Sequence, residues 1–330
     1  MAGVTDSVFR FMLAKYSKYG GEDLGEYGKE IPETVKTGKV GALDVIYTEF
    51  ISANGLFLGG KESLVEDMSY TDLERPIVAQ FFSSNAERMK RSARLAVEMG
   101  FDGIDINLGC PDRSVCKQGA GSELIKSPKV ACEVIEAVKE GAGDTPVSVK
   151  TRAGYLSDSE LDDWLGVLLK TEPACLALHA RTRKDMYKGP ARWELVERAV
   201  RLRNSYGSNT LILGNGDITS LDDLYQKVNS SGADGGMVGR AVIGNPWFFS
   251  RERDIHSVPV RERLEVLVEH CELFEKVFRD RKSFAFMKKH FSGYVSGWEG
   301  AKELRTQLME AKSASDVEET VKVYLKRSCL

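Results

Sequence analysis

Short apolar runs that alternate with helical segments place the tightest constraint on how this 330-residue chain can fold. Seven runs have the length and composition of buried β-strands, and they cover residues 45–49, 77–81, 103–108, 147–150, 175–179, 211–214 and 235–238. Strands that alternate with helices form parallel sheets, and eight strand–helix units close a (β/α)8 TIM barrel of about 250 residues. The sequence therefore predicts an α/β fold, with such a barrel over residues 1–250 and a truncated first strand that precedes Met1 or survives only as Met1-Ala2.

The strand pattern stops after Asn245-Pro246. Beyond it, apolar residues follow helical spacing, as at positions 264, 267, 268, 271 and 274, which is the stripe of an amphipathic helix. We therefore expect a small helical bundle domain over residues 255–330. Residues 19–44 are polar, contain glycines and have little periodicity, and we interpret them as an insertion or a lid.

Composition excludes several classes of protein. The chain contains no run of eighteen apolar residues, so no membrane span is expected, and the polar start argues against a signal peptide. The six cysteines include no Cys-x-x-Cys pair, which argues against a metal site and favours a reduced, cytoplasmic setting. A formal net charge of −3 excludes a protein that coats nucleic acid generally, so any contact with RNA has to be local.

Polar side chains lie at or near the ends of six of the predicted strands. They are Glu49, Gln80, Asn107, Lys150, His179 and Asn215. Because the carboxyl ends of parallel strands meet at one rim, where barrels carry their active sites, the set predicts a catalytic rim. Taken singly, each residue has the simpler interpretation of a loop side chain with satisfied hydrogen bonds.

Cys110 directly follows the third predicted strand, in Gly109-Cys110-Pro111. The next loop contains Gly119-Ala120-Gly121 and is too rich in glycine to be rigid. We interpret Cys110 as a reactive thiol on a mobile loop. A buried cysteine at a strand end is the alternative interpretation.

Glycines after the last two predicted strands indicate a phosphate site. One group is Gly214-Asn215-Gly216-Asp217, and the other is Gly239-Arg240. Glycine lets backbone N–H groups approach a phosphate, and arginine adds a charged fork. Since no third glycine completes a dinucleotide fingerprint, the pattern favours flavin mononucleotide (FMN) with its phosphate at Gly239-Arg240.

The ring of such a flavin needs polar partners. Gln80 and Asn107 can supply donors and acceptors to its edge, and Lys150 can offset negative charge near N1 and the C2 carbonyl. His179 is a further candidate at the same edge, and a core histidine bonded to the backbone is the alternative for that residue.

In these motifs the chain resembles the bacterial type of the tRNA-dihydrouridine synthase family. The resemblance rests on Met1-Ala2-Gly3-Val4-Thr5-Asp6, Thr48-Glu49-Phe50, Asn107-Leu108-Gly109-Cys110-Pro111, Gly119-Ala120-Gly121-Ser122, His179-Ala180-Arg181-Thr182-Arg183, Gly214-Asn215-Gly216-Asp217-Ile218, Val238-Gly239-Arg240 and Asn245-Pro246-Trp247. It extends over essentially the whole chain. Its most specific part is the cysteine loop combined with the segment that begins at His179.

The resemblance implies an FMN-containing barrel, a C-terminal helical domain that binds tRNA, and NADPH as the reductant. The implied reaction reduces the C5–C6 double bond of a uridine in the tRNA D-arm, with hydride from flavin N5 to C6 and a proton from Cys110 to C5. A thiol suits that task, because a free cysteine is mostly protonated near neutral pH. The residues implied in flavin binding are Ala2, Gln80, Lys150, Asn215, Gly216, Asp217, Gly239 and Arg240.

Basic residues interleaved with phenylalanines between Lys276 and His290 predict a surface for tRNA. Contacts with RNA phosphates would make binding sensitive to salt, whereas a solvated helix face above an aromatic core is the alternative interpretation. Candidate contacts to substrate or tRNA are Asn107, Arg181, Arg183, Lys288, Lys289 and His290. We expect a monomer, since a monomer suits a protein that embraces a tRNA.

Two other functions remain open at this point. An FMN-dependent barrel oxidoreductase that acts on a free small molecule, such as a pyrimidine, would share the flavin site without needing the basic helical segment. A non-catalytic tRNA-binding protein on a decayed barrel is the other, although Cys110, Lys150 and Arg240 argue against it.

Overall fold

The computed structural model describes residues 1, 3–21, 27, 41–59 and 61–327. The flavin-binding candidate Ala2 and most of the 19–44 segment lie outside the described residues. The chain divides into two compact units. The helical unit comprises Met1–Ile46, Tyr70–Arg75 and Arg240–Leu330, and the sheet unit comprises Tyr47–Ser69 and Pro76–Gly239. These bounds differ from the expected division near residues 250–255, because the first part of the chain groups with the C-terminal helices.

The sheet unit is built on a parallel β-sheet. Over the described residues the sheet has seven strands: β1 Ile46–Ser52, β2 Ile77–Phe82, β3 Gly103–Leu108, β4 Val147–Arg152, β5 Cys175–His179, β6 Leu211–Asn215 and β7 Gly235–Met237. Neighbouring strands follow one another in sequence order, and the pairs from β2 to β7 are parallel. All seven predicted strands are confirmed. The sequential parallel order is that of a (β/α)8 barrel, so the predicted fold class is confirmed.

Helices connect the strands of this unit. They are Ala53–Phe57, Lys61–Asp67, Ala86–Glu98, Arg113–Cys116, Pro128–Ala142, Leu161–Leu169, Glu194–Ser205 and Leu221–Ser231. Local sequence explains where several of them begin. Asn85 caps the third helix by accepting a hydrogen bond from the Arg88 N–H at 2.9 Å, and Pro128 occupies the first position of the fifth, where its missing N–H costs nothing.

The register of the strands places polar residues in adjacent positions. Asp105 of β3 is opposite Gln80 of β2, and it is also opposite Ser148 of β4. Two residues further along, Asn107 is opposite Lys150. Because side chains two residues apart point to the same face of a strand, Asp105 and Asn107 share one face, and the polar set meets on it.

The helical unit contains the helices of the C-terminal region, as predicted, together with a helix from the beginning of the chain. Its helices are Ser7–Leu13, Val260–Phe278, Lys288–Tyr294, Ala301–Leu308 and Ala314–Arg327, and a π-helical turn, Ala14–Lys18, continues the first. Every residue of Ser7–Leu13 is buried. Asp6 begins this helix by accepting a hydrogen bond from the Phe9 N–H at 2.9 Å, the capping expected of aspartate.

Side-chain contacts join the first helix and its π-helical turn to two C-terminal helices, Val260–Phe278 and Lys288–Tyr294. The Lys15 ammonium lies 2.6 Å from the Glu269 carboxylate, and the Tyr16 hydroxyl donates to the same carboxylate at 2.5 Å. The Phe9 ring stacks on His290, with 5.2 Å between ring centroids. These contacts explain why residues far apart in sequence form one unit.

A buried ion pair explains why the segment Tyr70–Arg75 belongs to the helical unit. Arg10 Nε lies 2.6 Å from Glu74 Oε2, and both side chains are almost completely buried. The same guanidinium donates to the Thr5 carbonyl at 2.8 Å. Burial raises the pKa of Glu74, and the neighbouring Arg10 opposes that rise. The buried Glu74 carboxylate is therefore favoured by the presence of Arg10.

None of the helices in the described parts of the chain has the length and apolar character needed to span a bilayer.

Candidate active site

Cys110 lies at the carboxyl end of β3 and is held by its own loop. The Gly109 and Cys110 N–H groups donate to Asn107 Oδ1 at 3.1 and 2.9 Å, which forms a tight turn around the side chain of the last polar residue of the strand. The Cys110 carbonyl accepts a hydrogen bond from the Ser122 N–H at 2.9 Å. The backbone of Cys110 is therefore held by hydrogen bonds on both sides.

The Cys110 side chain is partly buried and packs against a small apolar cluster, Phe82, Val115 and Ala120. Burial raises the pKa of the thiol above its usual value, and a hydrogen bond from the Asp112 backbone opposes that rise. The thiol is therefore protonated at neutral pH. In this state it can donate a proton but is a poor nucleophile.

A chain of polar side chains leads from the interior of the sheet to this loop. Ser148 Oγ donates to Asp105 Oδ1 at 2.6 Å, and Gln80 Nε2 donates to Asp105 Oδ2 at 2.7 Å. Asn107 Nδ2 donates to Gln80 Oε1 at 3.0 Å. Because Asn107 also accepts from the Cys110 N–H, an unbroken path of hydrogen bonds joins Asp105 to the cysteine loop.

Asp105 is a residue that the sequence analysis missed. It is 0% exposed, and burial raises its pKa to about 6, opposed by hydrogen bonds from Ser148 and Gln80 and by Lys150. A signal was present, because an acidic residue between two isoleucines in a buried strand needs partners. The sequence could not identify those partners, which come from two other strands.

Lys150 and Asn215 are brought together, as expected of residues on one rim. Lys150 Nζ donates to Asn215 Oδ1 at 3.0 Å, and Asn215 Nδ2 donates to the Met237 carbonyl at 2.7 Å. Burial and the nearby Arg152 lower the pKa of Lys150 to about 8. The partly buried Lys150 ammonium is thus held by the Asn215 amide oxygen. An anion beside it would raise the pKa of Lys150 and so favour its charged form.

The loop after β6 has the tight geometry that its glycines indicate. Gly216 has φ +125°, and a Cβ there would lie 2.7 Å from Ala191 and 3.1 Å from the His179 ring. Only glycine fits this close approach. Asp217 also has a positive φ, 49°.

Asp217 and Arg181 form an ion pair in which Arg181 is buried and Asp217 is partly exposed. Arg181 Nη2 lies 2.5 Å from Asp217 Oδ2 and 2.6 Å from the Gly189 carbonyl, and the same carboxylate accepts from the Ala191 N–H at 2.8 Å. The predicted tRNA contact at Arg181 stays a prediction, although its side chain is only 2% exposed and its guanidinium is paired with Asp217. The Asp217 carboxylate shapes this loop.

His179 is buried at the end of β5, where its Nε2 lies 3.3 Å from Arg181 Nη1. Its ring centroid lies 6.2 Å from that of Tyr187. The structure therefore places it among polar groups at the rim.

Arg183 belongs to a cluster of cations around an aromatic ring. Its guanidinium lies 5.2 Å from the centroid of the Tyr155 ring, and the Lys126 ammonium lies 4.7 Å from the same centroid. The Tyr155 hydroxyl donates to Glu123 at 2.9 Å. Unlike Arg181, this arginine is partly exposed.

Gly239 is the last residue of the sheet unit and is partly exposed. Arg240 is the first residue of the C-terminal part of the helical unit, begins the 3₁₀ turn Arg240–Val242 and is exposed. Their role at a phosphate stays a prediction.

The three candidate tRNA contacts in the helical unit, Lys288, Lys289 and His290, differ in how far they are exposed. Lys289 is exposed, donates to the Gly3 carbonyl at 2.9 Å and lies over the Phe286 ring. Lys288 is partly exposed and donates to the Met309 carbonyl. His290 is only 2% exposed.

The predicted tRNA contact at His290 stays a prediction, and the structure places its ring inside the helical unit. It packs against Phe9 and His270, with centroid distances of 5.2 and 4.9 Å. Burial and the neighbouring Lys289 lower the pKa of His290 to about 3. The ring is therefore neutral at physiological pH and forms part of the aromatic core.

Within the described residues, no cluster of His, Cys, Asp and Glu could hold a metal ion. The site instead joins a thiol, three amides and a lysine at the carboxyl side of a parallel sheet, which is where α/β barrel enzymes carry their catalytic groups. The fold and the site thus define an α/β barrel enzyme.

The Dihydrouridine synthase (Dus) family profile matches residues 1–329. The chain belongs to this family of enzymes. A probable tRNA-dihydrouridine synthase of Staphylococcus epidermidis is 39% identical over 283 residues, which is 85% of this chain and 86% of the relative. A probable tRNA-dihydrouridine synthase 2 of Bacillus subtilis is 37% identical over 281 residues, with 84% and 85% covered.

Among solved structures, a 2-naphthoyl-CoA reductase is similar in fold, with a TM-score of 0.50 and 10% sequence identity. The match covers 74% of this chain and 46% of the reductase. At this identity the likeness concerns the fold alone.

Proposed function

We propose that this protein is a tRNA-dihydrouridine synthase that reduces the C5–C6 double bond of a uridine in the tRNA D-arm, using FMN and NADPH. Membership of the Dus family and the names of its relatives support the reaction class. The observation that carries the mechanism is the position of Cys110 at the carboxyl end of β3, where burial raises the pKa of its thiol. We further propose that the enzyme is cytoplasmic and acts as a monomer.

The chemistry of the donor set supports FMN as the cofactor. Lys150 contributes a cation, and Gln80, Asn107 and Asn215 contribute amide groups, a combination that suits the polar edge of a flavin ring and its negative charge. Because Gly216 has no Cβ, its own backbone can come close to a bound cofactor. FMN supplies the hydride that C6 of the uracil receives. The phosphate is proposed to lie at Gly239-Arg240, and His179 is proposed at the ring edge.

Cys110 completes the reduction by donating the thiol proton to C5 of the uracil. One hydride and one proton then saturate the double bond, and the thiolate left behind regains a proton from solvent. A serine would be too weak an acid for this step, and a carboxylate would already be ionised at neutral pH. The target base has to leave its stack to reach the thiol.

For the RNA, we propose that the helical domain, assigned from sequence to residues 255–330, contacts phosphates through Lys288 and Lys289. Arg183 is proposed to add a contact from the sheet unit, next to Tyr155. Arg181 and His290 are left out of this proposal, because their side chains are buried. Such contacts predict tRNA binding that weakens as salt is raised.

The test is to incubate unmodified tRNA with the protein, FMN and NADPH, and to measure dihydrouridine by mass spectrometry. We expect D-arm uridines to gain the mass of one hydride and one proton. A protein that binds flavin and oxidises NADPH but leaves tRNA unchanged would favour the small-molecule reductase. A protein that binds no flavin would favour a non-catalytic tRNA-binding role.

The proposed contact between Lys150 and FMN gives a second prediction. Replacing Lys150 by methionine removes a charge-assisted hydrogen bond, so the Kd for FMN is expected to rise about tenfold to a hundredfold. Quenching of flavin fluorescence on titration with apoprotein measures it. The control is Lys170→Met, which removes an exposed lysine of the same unit. An unchanged Kd in Lys150→Met would remove Lys150 from the flavin site.

A further inference from the structure

We propose that Asp105 is a positioning residue for Cys110, acting through the hydrogen-bond chain Asp105–Gln80–Asn107. The inference rests on the proposed function for its catalytic meaning, although the positioning itself can be measured without tRNA. Asp105 is completely buried and lies two residues before Asn107 in β3, so we assign it no contact with the substrate. Its effect is on the loop that carries the thiol.

Asp105 sets the direction of this hydrogen-bond chain. A carboxylate can only accept hydrogen bonds, so Gln80 has to present its NH2 group to Asp105, as it does at 2.7 Å. The carbonyl oxygen of Gln80 then faces Asn107. Asn107 in turn has to present its own NH2 group to that oxygen, as it does at 3.0 Å.

The hydrogen-bond chain ends at Asn107 and the cysteine loop. With its NH2 group turned toward Gln80, Asn107 points its oxygen at the Gly109 and Cys110 N–H groups, which accept nothing and can only donate. Both bonds form, at 3.1 and 2.9 Å. The chain thus runs from a group that only accepts to two groups that only donate. The two amides between them have one consistent orientation.

Removing Asp105 would interrupt this hydrogen-bond chain. Without an acceptor at position 105, the buried Gln80 NH2 group loses its partner. Rotating the Gln80 amide to find another partner would bring its NH2 group to face the Asn107 NH2 group, and two donors cannot bond to each other. Asn107 then no longer holds the turn at Cys110. The partly buried thiol becomes more accessible and less well placed to deliver its proton.

Asp105→Ala tests this directly. Iodoacetamide alkylation of Cys110, followed on its own peptide by mass spectrometry in the native protein, is expected to become about two- to tenfold faster. Asn107→Ala should give the same increase. The kcat for dihydrouridine formation is expected to fall about tenfold to a hundredfold with little change in the KM for tRNA, because the reacting proton is misplaced.

Two variants separate positioning from a general loss of packing. Asp105→Asn keeps an oxygen toward Gln80 and turns its NH2 group to Ser148, which can accept it, so it should restore the wild-type alkylation rate. Ser148→Ala removes the other partner of Asp105 and should leave that rate unchanged. If Asp105→Ala does not fold, Gln80→Leu interrupts the same chain and is expected to accelerate alkylation equally.

The proposal is overturned if Asp105→Ala, or Gln80→Leu in its place, alkylates no faster than Ser148→Ala while Asn107→Ala does. It is also overturned if Asp105→Asn behaves like Asp105→Ala. Failure of the proposed function is a separate result: the wild-type protein would form no dihydrouridine while the alkylation pattern held.

Discussion

Replacing Cys110 by alanine is expected to lower the rate of dihydrouridine formation by about a hundredfold to ten-thousandfold, the usual loss when a general acid is removed. We expect tRNA binding and flavin reduction by NADPH to continue, because a neutral thiol forms no ion pair with the tRNA or with the flavin. The measurement is dihydrouridine per tRNA against time, by mass spectrometry, with the flavin absorbance recorded on the same samples.

The matched control is Cys116→Ala, which removes a thiol of the same loop whose Sγ lies 3.8 Å from the Cys110 carbonyl. It should retain turnover close to that of the wild type. Because burial raises the pKa of Cys110, the acid form persists through neutral pH, and activity limited by this group should decline only on the alkaline side. Turnover that survives in Cys110→Ala would remove Cys110 from the mechanism.

Replacing Arg10 by methionine is expected to lower the free energy of unfolding by about 3–5 kcal/mol, the cost of leaving one partner of a buried ion pair alone. Methionine keeps much of the volume of the side chain but leaves the Glu74 carboxylate buried without its cation. Burial already raises the pKa of Glu74, so in the variant this carboxyl group should take up a proton more readily. Urea unfolding followed by circular dichroism measures the change.

Two further variants test that explanation. Arg201→Met removes an exposed ion pair with Glu197 and should change stability by no more than about 0.5 kcal/mol. Arg10→Met combined with Glu74→Gln should recover part of the loss, since no charge is then left buried. If Arg10→Met is as stable as Arg201→Met, the pair does not hold the segment Tyr70–Arg75 in the helical unit.

The strands could be predicted because their signal is local. A buried parallel strand needs a short apolar run between turn residues, and the predicted and observed bounds agree fully for Gly103–Leu108 and Cys175–His179. The polar residues that follow the strands were also identifiable one by one. Their meeting at one rim follows from parallel order alone.

Residues whose role depends on distant partners could not be predicted. The sequence predicts an RNA contact at Arg181, and only the fold shows that Asp217 pairs with it. His290 sits among basic residues in sequence, but its ring stacks on Phe9 from the opposite end of the chain. Asp105 was overlooked because its partners, Gln80 and Ser148, belong to two other strands.

The helical unit is assembled from the two ends of the described chain, and this determines how it can form during synthesis on the ribosome. Proteins fold in units as they emerge, beginning from the N-terminal side. Helix Ser7–Leu13, buried along its whole length, leaves the ribosome long before its partner helix Val260–Phe278 exists. Its apolar face has to wait, exposed, while the sheet unit is made. A nascent chain that stalls before residue 260 would therefore be a ready client for chaperones.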